Sequence, residues 1–195
     1  VNTSVTGAQI HPQIAALANG GWVVTWESYK LDGSADGIYQ QSYKADGTLA
    51  GGEARVDNTY ITTGYRNLDL QQTTALPDGG FMITAEAADP TDDSTIEAWI
   101  YDAAGAQTLE FYHESVPEPG AGRELATAAN DTTTITVYSA YNGGGDEKLY
   151  LRTYNPTFYL LGPEIELTNY SPPNPSGGAI YVYESTSIAG ADVAA

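Results

Sequence analysis

Three loops of the sequence are rich in oxygen-bearing side chains at short spacing. The best example is Asp32-Gly33-Ser34-Ala35-Asp36-Gly37, where such side chains stand at alternate positions and a glycine ends the loop. Short calcium loops use this arrangement, because it turns several oxygens onto one hard cation. The same residue types also form turns without an ion, so both interpretations stay open. The residues predicted to bind Ca²⁺ are Asp32, Ser34, Asp36, Asp92, Asp93 and Asp146.

Aromatic side chains form a second set that could bind a ligand. The chain has 15 Tyr, more than its Trp and Phe together. Most of them are expected to pack within strands and in cross-strand pairs. Rings in turns or in connections between units could instead stack on the faces of sugars. The candidates for a glycan ligand are Tyr60, Tyr65, Tyr141 and Tyr170.

Carboxylate pairs are the one arrangement that suggests catalysis. Glu27 with Asp32, or Glu86 with Glu184, has the chemistry of a glycosidase pair. However, the three glutamates fall at one position of an internal repeat, where Ser139 replaces them in the third copy. Catalysis rarely repeats in every copy. We therefore predict that the protein is not an enzyme, with a glycoside hydrolase as the remaining alternative.

The composition excludes several classes of partner. Seven Lys+Arg against 25 Asp+Glu give a formal net charge of -18. This charge opposes binding to nucleic acid and to anionic membranes, since both require a basic surface. No stretch approaches the roughly 20 apolar residues of a transmembrane helix, so membrane insertion is not expected. The chain has no cysteine, and His11 and His113 have the unmatched contexts of ordinary surface residues.

An internal repeat must position the candidate residues. The segment Ala15–Ser28 has the pattern of a strand, a Gly-Gly turn and a second strand, and weaker copies of its second half begin at Asp78, Thr133 and Gly177. Spacings of roughly 45 to 60 residues are close to the length of one propeller blade. Such a unit buries its apolar face against its neighbours.

The first copy predicts a four-stranded antiparallel meander. Turn residues such as Gly20-Gly21 and Asp46-Gly47 separate its strand-like runs. The predicted fold class is all-β, with antiparallel four-stranded, propeller-like units, and a β-sandwich or barrel is the alternative. The predicted strands lie at about 13–17, 22–27, 37–44 and 53–57.

The repeat also predicts how the chain is divided. Residues 1–170 would form three β-repeat units, at about 1–59, 60–122 and 123–170. A Pro- and Gly-rich linker at 171–178 would follow. Residues 179–195 would form a partial fourth repeat or a C-terminal strand.

The order of residues in the first unit resembles that of a known family. Gly20-Gly21-Trp22-Val23-Val24-Thr25-Trp26-Glu27-Ser28, followed by Asp32-Gly33-Ser34, Asp46-Gly47-Thr48 and Val56-Asp57-Asn58-Thr59, resembles the tandem β-repeats of secreted bacterial repeats-in-toxin (hemolysin-type calcium-binding) proteins and adhesins. The resemblance implies repeats that are extracellular, β-rich and propeller-like. The glycine-rich nonapeptide calcium repeats that name that family do not occur in this sequence.

Together these features predict an extracellular or cell-surface protein with a structural or adhesive role, stabilised by Ca²⁺. One alternative is a self-assembling filament or surface-layer subunit joined by strand exchange, because the copy at 177–185 has lost its partner strand. A carbohydrate-binding lectin is the other alternative. The expected partners are further copies of the chain or an extracellular or cell-surface glycan.

Overall fold

The computed structural model of the chain describes residues 2–3, 7–28, 37–56, 67–88, 94–113, 125–141, 147–155 and 164–167. Within these ranges the chain forms twelve β-strands. They are β1 (Gln9–Ala16), β2 (Trp22–Ser28), β3 (Gly37–Tyr43), β4 (Ala54–Arg55), β5 (Asn67–Ala75), β6 (Phe81–Ala88), β7 (Ser94–Tyr101), β8 (Gln107–His113), β9 (Leu125–Ala129), β10 (Thr134–Tyr141), β11 (Glu147–Tyr154) and β12 (Ile165–Glu166).

The strands form three antiparallel sheets of four strands each. The first sheet contains β1 to β4, the second β5 to β8, and the third β9 to β12, and each strand pairs with the next along the chain. This confirms the predicted all-β class with antiparallel four-stranded units. The sheets are neighbouring blades, because β1 contacts β5 and β5 contacts β9. The first strand of each sheet therefore lies innermost, as in a propeller.

The strand pairing follows the sequence repeat. In every sheet, a tyrosine at the end of the third strand pairs with the first residue of the second strand. The three pairs are Trp22–Tyr43, Phe81–Tyr101 and Thr134–Tyr154. The aromatic pairs are stacked, with ring centroids 5.6 Å apart in the first sheet and 4.7 Å apart in the second. This common register makes Glu27, Glu86 and Ser139 structurally equivalent, as the sequence predicts.

The tight turns between the first two strands explain the Gly-Gly pairs. Gly20 has a φ of 81°, which a residue with a side chain rarely adopts. A Cβ atom on Gly21 would lie 2.3 Å from the carbonyl oxygen of Tyr43. Gly80 is in the same situation, since its Cβ would lie 2.1 Å from the carbonyl oxygen of Tyr101. Glycine is therefore required where the hairpin passes over the third strand.

Apolar side chains fill the spaces between sheets. Between the first and second sheets, Val23 and Ile38 pack in one cluster with Phe81, Ile83 and Trp99, all at most 1% exposed. A second cluster forms around Met82 and Ile100, with Ala129 of the third sheet packed against it. Burying these faces removes apolar area from water, which is the main favourable term in joining the sheets.

Matching threonine contacts fix the register between sheets. The hydroxyls of Thr25 in β2 and Thr73 in β5 lie 2.6 Å apart. One sheet further on, the hydroxyls of Thr84 in β6 and Thr127 in β9 lie 3.2 Å apart. Thr84 occupies the repeat position of Thr25, and Thr127 that of Thr73. Each sheet therefore docks on the next in the same way.

Part of the predicted organisation lies outside the described residues. The linker at 171–178 and the segment at 179–195 belong to this part, as does the copy at 177–185. In the part of the chain that the structure describes, no helix has the length and hydropathy of a membrane span.

Candidate active site

The innermost strands of the first and second sheets carry equivalent β-bulges. In β1 the register with β2 shifts by one residue between Ile10 and Gln13. In β5 the register with β6 shifts in the same way between Asp69 and Gln72. Two residues of the inner strand thus lie opposite one residue of its neighbour, which bends the strand and changes the direction of its side chains.

His11 occupies the bulge of the first sheet in an unusual conformation. Its φ is 49°, which makes it the one non-glycine residue with positive φ among the described residues. A left-handed conformation costs a residue with a side chain about 1 to 2 kcal/mol. Surrounding contacts must offset that cost. The His11 side chain is 61% exposed, so its imidazole lies within reach of solvent.

Glu27 holds the imidazole from the neighbouring strand. The His11 Nδ1 atom lies 2.7 Å from Glu27 Oε2, and the Glu27 side chain is only 2% exposed. An ionised carboxylate can only accept hydrogen bonds, so with Glu27 ionised this contact requires the proton on Nδ1, which then donates to Glu27. A buried carboxylate is costly unless it is paired, and this contact supplies a partner.

The second sheet also contacts this bulge. The Gln71 amide nitrogen donates a hydrogen bond to the backbone carbonyl oxygen of His11. Gln71 lies in the bulge of β5 and is only 2% exposed. In the first sheet, Gln9 lies two residues before His11, and its amide nitrogen donates to Ser28 Oγ at 2.7 Å. The conformation of His11 is therefore fixed from both sheets.

A second buried carboxylate lies in the same space between sheets. Glu97 in β7 is 1% exposed and pairs directly with Ala85. Residues directly opposite each other project to the same face of a sheet. Ala85 packs in the cluster that contains Val23 of the first sheet, so Glu97 also faces the first sheet. Glu27 is on the face of β2 that carries Val23, so both carboxylates face this one interface.

Glu86 lies elsewhere, although it is the repeat equivalent of Glu27. It alternates with Ala85 along β6, so it faces the third sheet rather than the first. Leu70 stands at the sequence position that corresponds to His11. Among the contacts of the described residues, the pair of a glutamate at this repeat position with an imidazole is that of Glu27 with His11 in the first sheet.

The arrangement of His11 and Glu27 is suited to proton transfer. With the proton fixed on Nδ1, the lone pair of Nε2 is available to a ligand or a water molecule. An imidazole can both accept and donate a proton, which is why histidine is a common general acid or base. Glu27 would stabilise the imidazolium that forms, as carboxylates do in other acid-base pairs.

The residues predicted from sequence to bind ligands lie outside the described ranges. These are the calcium candidates Asp32, Ser34, Asp36, Asp92, Asp93 and Asp146, and the tyrosines Tyr60, Tyr65 and Tyr170. Tyr141 ends β10 opposite Glu147, but its side chain is not among those described. Within the described residues, no group of three or more His, Asp or Glu could hold a metal ion. The Ca²⁺ prediction stays a prediction.

Sequence reasoning missed His11 and Gln71. His11 has the context of an ordinary surface residue, and its contact with Glu27 depends on the one-residue shift in β1. A histidine followed by proline at the start of a predicted inner strand is the one local signal of an irregularity there. Gln71 is 60 residues away from His11 in sequence, and no local pattern connects the two.

Comparisons with known proteins identify the fold. No protein-family model matches the sequence, and no curated protein matches it. Similar solved structures include an α-L-arabinofuranosidase variant from Fusarium graminearum in complex with an iminosugar inhibitor, with a TM-score of 0.57 and 15% identity over 81% of this chain. An α-L-arabinanase from Penicillium chrysogenum complexed with arabinobiose has a TM-score of 0.55 and 19% identity over 83% of this chain. An endo-arabinase from Bacteroides thetaiotaomicron has a TM-score of 0.55 and 12% identity over 85% of this chain.

These neighbours are five-bladed β-propellers, so the class of this fold is the β-propeller. The chain spans about half the length of the first two, 48% and 50%, and 63% of the third. At identities below 20% the likeness concerns the fold.

The comparison corrects two predictions from the sequence. The structural or adhesive role and the expectation that the protein is not an enzyme are wrong on this finding, since the neighbours are glycoside hydrolases; the filament and lectin alternatives gain no support from it. The error has a physical origin. Glu27 is one of several equivalent glutamates in the repeat, but the bulge in β1 places the His11 imidazole 2.7 Å from its carboxylate.

Proposed function

We propose that the chain forms part of a propeller glycoside hydrolase that acts on arabinose-containing glycans. The observation that carries this proposal is the buried Glu27 carboxylate bonded to the exposed His11 imidazole on the innermost strand. The neighbours support the substrate class, because they are arabinan-cleaving or arabinofuranoside-cleaving enzymes and one of them is bound to arabinobiose. The partner is thus an extracellular glycan.

His11 acts as a general base in the proposed reaction. A water molecule bonded to Nε2 gives up a proton to the imidazole as its oxygen attacks the anomeric carbon, the glycosidic C–O bond breaks, and the leaving oxygen takes up a proton from solvent while the imidazolium later returns its own to solvent. The resulting imidazolium is stabilised by the Glu27 carboxylate at 2.7 Å. Because the carboxylate is buried, its interaction with the developing charge is screened less than it would be in water.

An extracellular or cell-surface location is part of the proposal. Polymeric glycans are too large to cross a membrane and are cleaved outside the cell. The net charge of -18 opposes binding to anionic surfaces that would compete with a neutral polysaccharide.

Hydrolysis assays test the proposal directly. The chain is incubated with linear arabinan, with an aryl α-L-arabinofuranoside, and with xylan as a comparison glycan, and released sugars are quantified. We expect release from one of the two arabinose substrates. His11→Asn should lower the rate by roughly 100-fold or more, which is the usual contribution of a general base. Asparagine tolerates positive φ, so the bulge is retained in this variant.

The matched control is Glu86→Gln in the second sheet. Glu86 has the same repeat position as Glu27 but faces the third sheet, so this variant should hydrolyse the substrate at the unaltered rate. Glu27→Gln should reduce the rate strongly, with melting curves showing that the variant is folded. Absence of hydrolysis with every substrate, or equal rates for His11→Asn and Glu86→Gln, would contradict the proposal.

A further inference from the structure

Two polar atoms are buried without a hydrogen-bond partner where the first and second sheets meet. Gln40 is 7% exposed, and its Oε1 atom accepts no hydrogen bond from the described residues. Trp99 is 0% exposed, and its Nε1–H group donates to none of them. Buried polar groups in proteins are almost always hydrogen-bonded, so each of these atoms requires a partner.

Strand pairing places both residues at one level of the contact between the sheets. Gln40 in β3 pairs with Thr25 in β2, so the two side chains project to the same face of the first sheet. Thr25 meets Thr73 of the second sheet, with 2.6 Å between the hydroxyl oxygens. Thr73 pairs with Ile83, and Ile83 pairs with Trp99. We call these five residues the Thr25 row, which crosses from one sheet to the other.

The contact between the second and third sheets has an equivalent row without the acceptor. Ala98 occupies the repeat position of Gln40, because it pairs with Thr84, the counterpart of Thr25. Its methyl side chain has no atom that could accept a hydrogen bond.

The donor of the equivalent row already has a partner. Arg152 occupies the repeat position of Trp99, because it pairs with Thr136, the counterpart of Ile83. The Arg152 Nε atom donates to Glu164 Oε2 at 2.8 Å. The unpartnered acceptor and the unpartnered donor therefore occur together in one contact between sheets and are replaced together in the next.

The two atoms define the chemistry of the group that would join them. An indole N–H can only donate, so the group must accept a hydrogen bond, which a metal cation cannot do. An amide oxygen can only accept, so the group must also donate. A water molecule does both, and it fits either orientation of the Gln40 amide. Because Thr25 and Trp99 are 0% exposed, a sugar hydroxyl from solvent has no access to this position.

We propose that a buried water molecule joins the first and second sheets at the Thr25 row. It accepts a hydrogen bond from Trp99 Nε1–H and donates one to Gln40 Oε1. The hydroxyls of Thr25 and Thr73 share one hydrogen bond, so either oxygen can accept the second proton of the water molecule. The resulting count of about three hydrogen bonds is typical of internal water. His11 and Glu27 take no part, so this proposal stands independently of the proposed function.

NMR of the native chain tests the proposal. In a sample with nitrogen-15 labelled tryptophan, the indole N–H of Trp99 is identified by its loss in Trp99→Phe. A water molecule held at this proton gives cross-peaks at the water frequency with opposite signs in NOESY and ROESY spectra, whereas proton exchange gives equal signs. We expect the opposite signs for Trp99. The partly exposed Trp22 is the reference for contact with bulk solvent.

Variants of Gln40 assign the water molecule to its acceptor. Gln40→Leu removes the accepting oxygen from a side chain of similar size, so the water cross-peaks of Trp99 should disappear. Gln40→Glu retains an accepting oxygen and should keep them. The matched control is Gln72→Leu, because Gln72 pairs with Thr84 and faces the third sheet, so the cross-peaks should again remain. Melting curves show that each variant is folded.

Three outcomes would overturn the proposal. The first is the absence of water cross-peaks at Trp99 in the native chain, a measurement that needs no folded variant of Gln40. The second is equal cross-peaks in Gln40→Leu and the native chain, since the signal would then come from another source, such as threonine hydroxyl protons that exchange with solvent. The third is an equal loss in Gln40→Leu and Gln72→Leu, which would mean that both changes simply loosen the packing of the sheets.

Discussion

The inner strands of the first and second sheets shift register by one residue at the same repeat position, and they differ in what their bulges carry and in the left-handed conformation of His11, whose φ is 49°. In the first sheet the bulge presents His11, whose imidazole meets Glu27. In the second sheet it presents Gln71, whose amide reaches back to the carbonyl of His11.

This difference shows how a repeat protein can build a single site. The backbone irregularity is shared, so it belongs to the architecture of the blade. The side chains in it are not shared, and the two bulges together hold one imidazole. A site assembled in this way needs two adjacent sheets, although each sheet alone follows the common pattern.

The largest predicted effect concerns the Gly-Gly turn, which the first and second sheets share. Replacing Gly80 with Ala places a Cβ atom 2.1 Å from the backbone oxygen of Tyr101, and Gly21→Ala places one 2.3 Å from that of Tyr43. Neither backbone oxygen can move freely, so each change should lower the free energy of unfolding by about 3 kcal/mol. Thermal melting measures the effect, with an expected fall of roughly 6 to 12 °C.

Gly52→Ala is the control for this prediction. No heavy atom lies within 4 Å of a Cβ built there, so its melting temperature should stay within about 2 °C of the native value. Strongly unequal effects of Gly21→Ala and Gly80→Ala would break the comparison, because they would mean that the two hairpins are not equivalent.

The features that were predictable from sequence are those fixed by local chemistry. The Gly-Gly turn before Trp22, and its counterpart before Phe81, mark hairpins because few other residues fit there. The tyrosines that end the third strands fixed the alignment of the strand pairs, and the structure has the same register. β1 begins at Gln9, four residues before the predicted strand, because the bulge interrupts its alternation.

The candidate site could not be predicted in the same way. Without the bulge, strict alternation gives no reason to place the His11 ring beside Glu27 rather than in solvent. The contact from Gln71 spans 60 positions and depends on how two sheets pack. A repeat alignment compares equivalent positions, whereas this site joins positions that are not equivalent.

A smaller effect is expected in the third sheet at alkaline pH. Burial raises the pKa of Tyr154 from its ordinary value of 10 to about 12, and nearby Arg152 partly opposes the rise. The folded state therefore keeps the proton between pH 10 and about 12, whereas the unfolded state releases it. Stability present below pH 10 is lost as the pH rises through that window, by about 2 kcal/mol in total.

Urea unfolding at pH 8, 10 and 11.5 measures the alkaline effect. A Tyr154→Phe variant has no hydroxyl to ionise at this position, so its loss of stability over the same range should be smaller by about that amount. Identical pH dependence in the variant and the native chain would contradict the assignment to Tyr154. The loss of stability at alkaline pH would then not distinguish the third sheet from the first two, in which Tyr43 stacks on Trp22 and Tyr101 stacks on Phe81.

The smallest effect should come from the contact that joins the two bulges. Gln71→Leu removes the amide that donates to the His11 carbonyl, and should lower the free energy of unfolding by about 1 kcal/mol. It should also release His11 from its left-handed conformation, so that Nδ1 no longer stays within reach of Glu27. Nitrogen-15 NMR of the imidazole measures this as loss of the fixed Nδ1–H tautomer.

Gln72→Leu is the matched control, since Gln72 pairs with Thr84 on the face toward the third sheet and should leave the His11 signals unchanged. If Gln71→Leu and Gln72→Leu change the His11 tautomer equally, or if neither changes it, the contact from Gln71 does not fix His11. The contacts within the first sheet would then be sufficient to fix it.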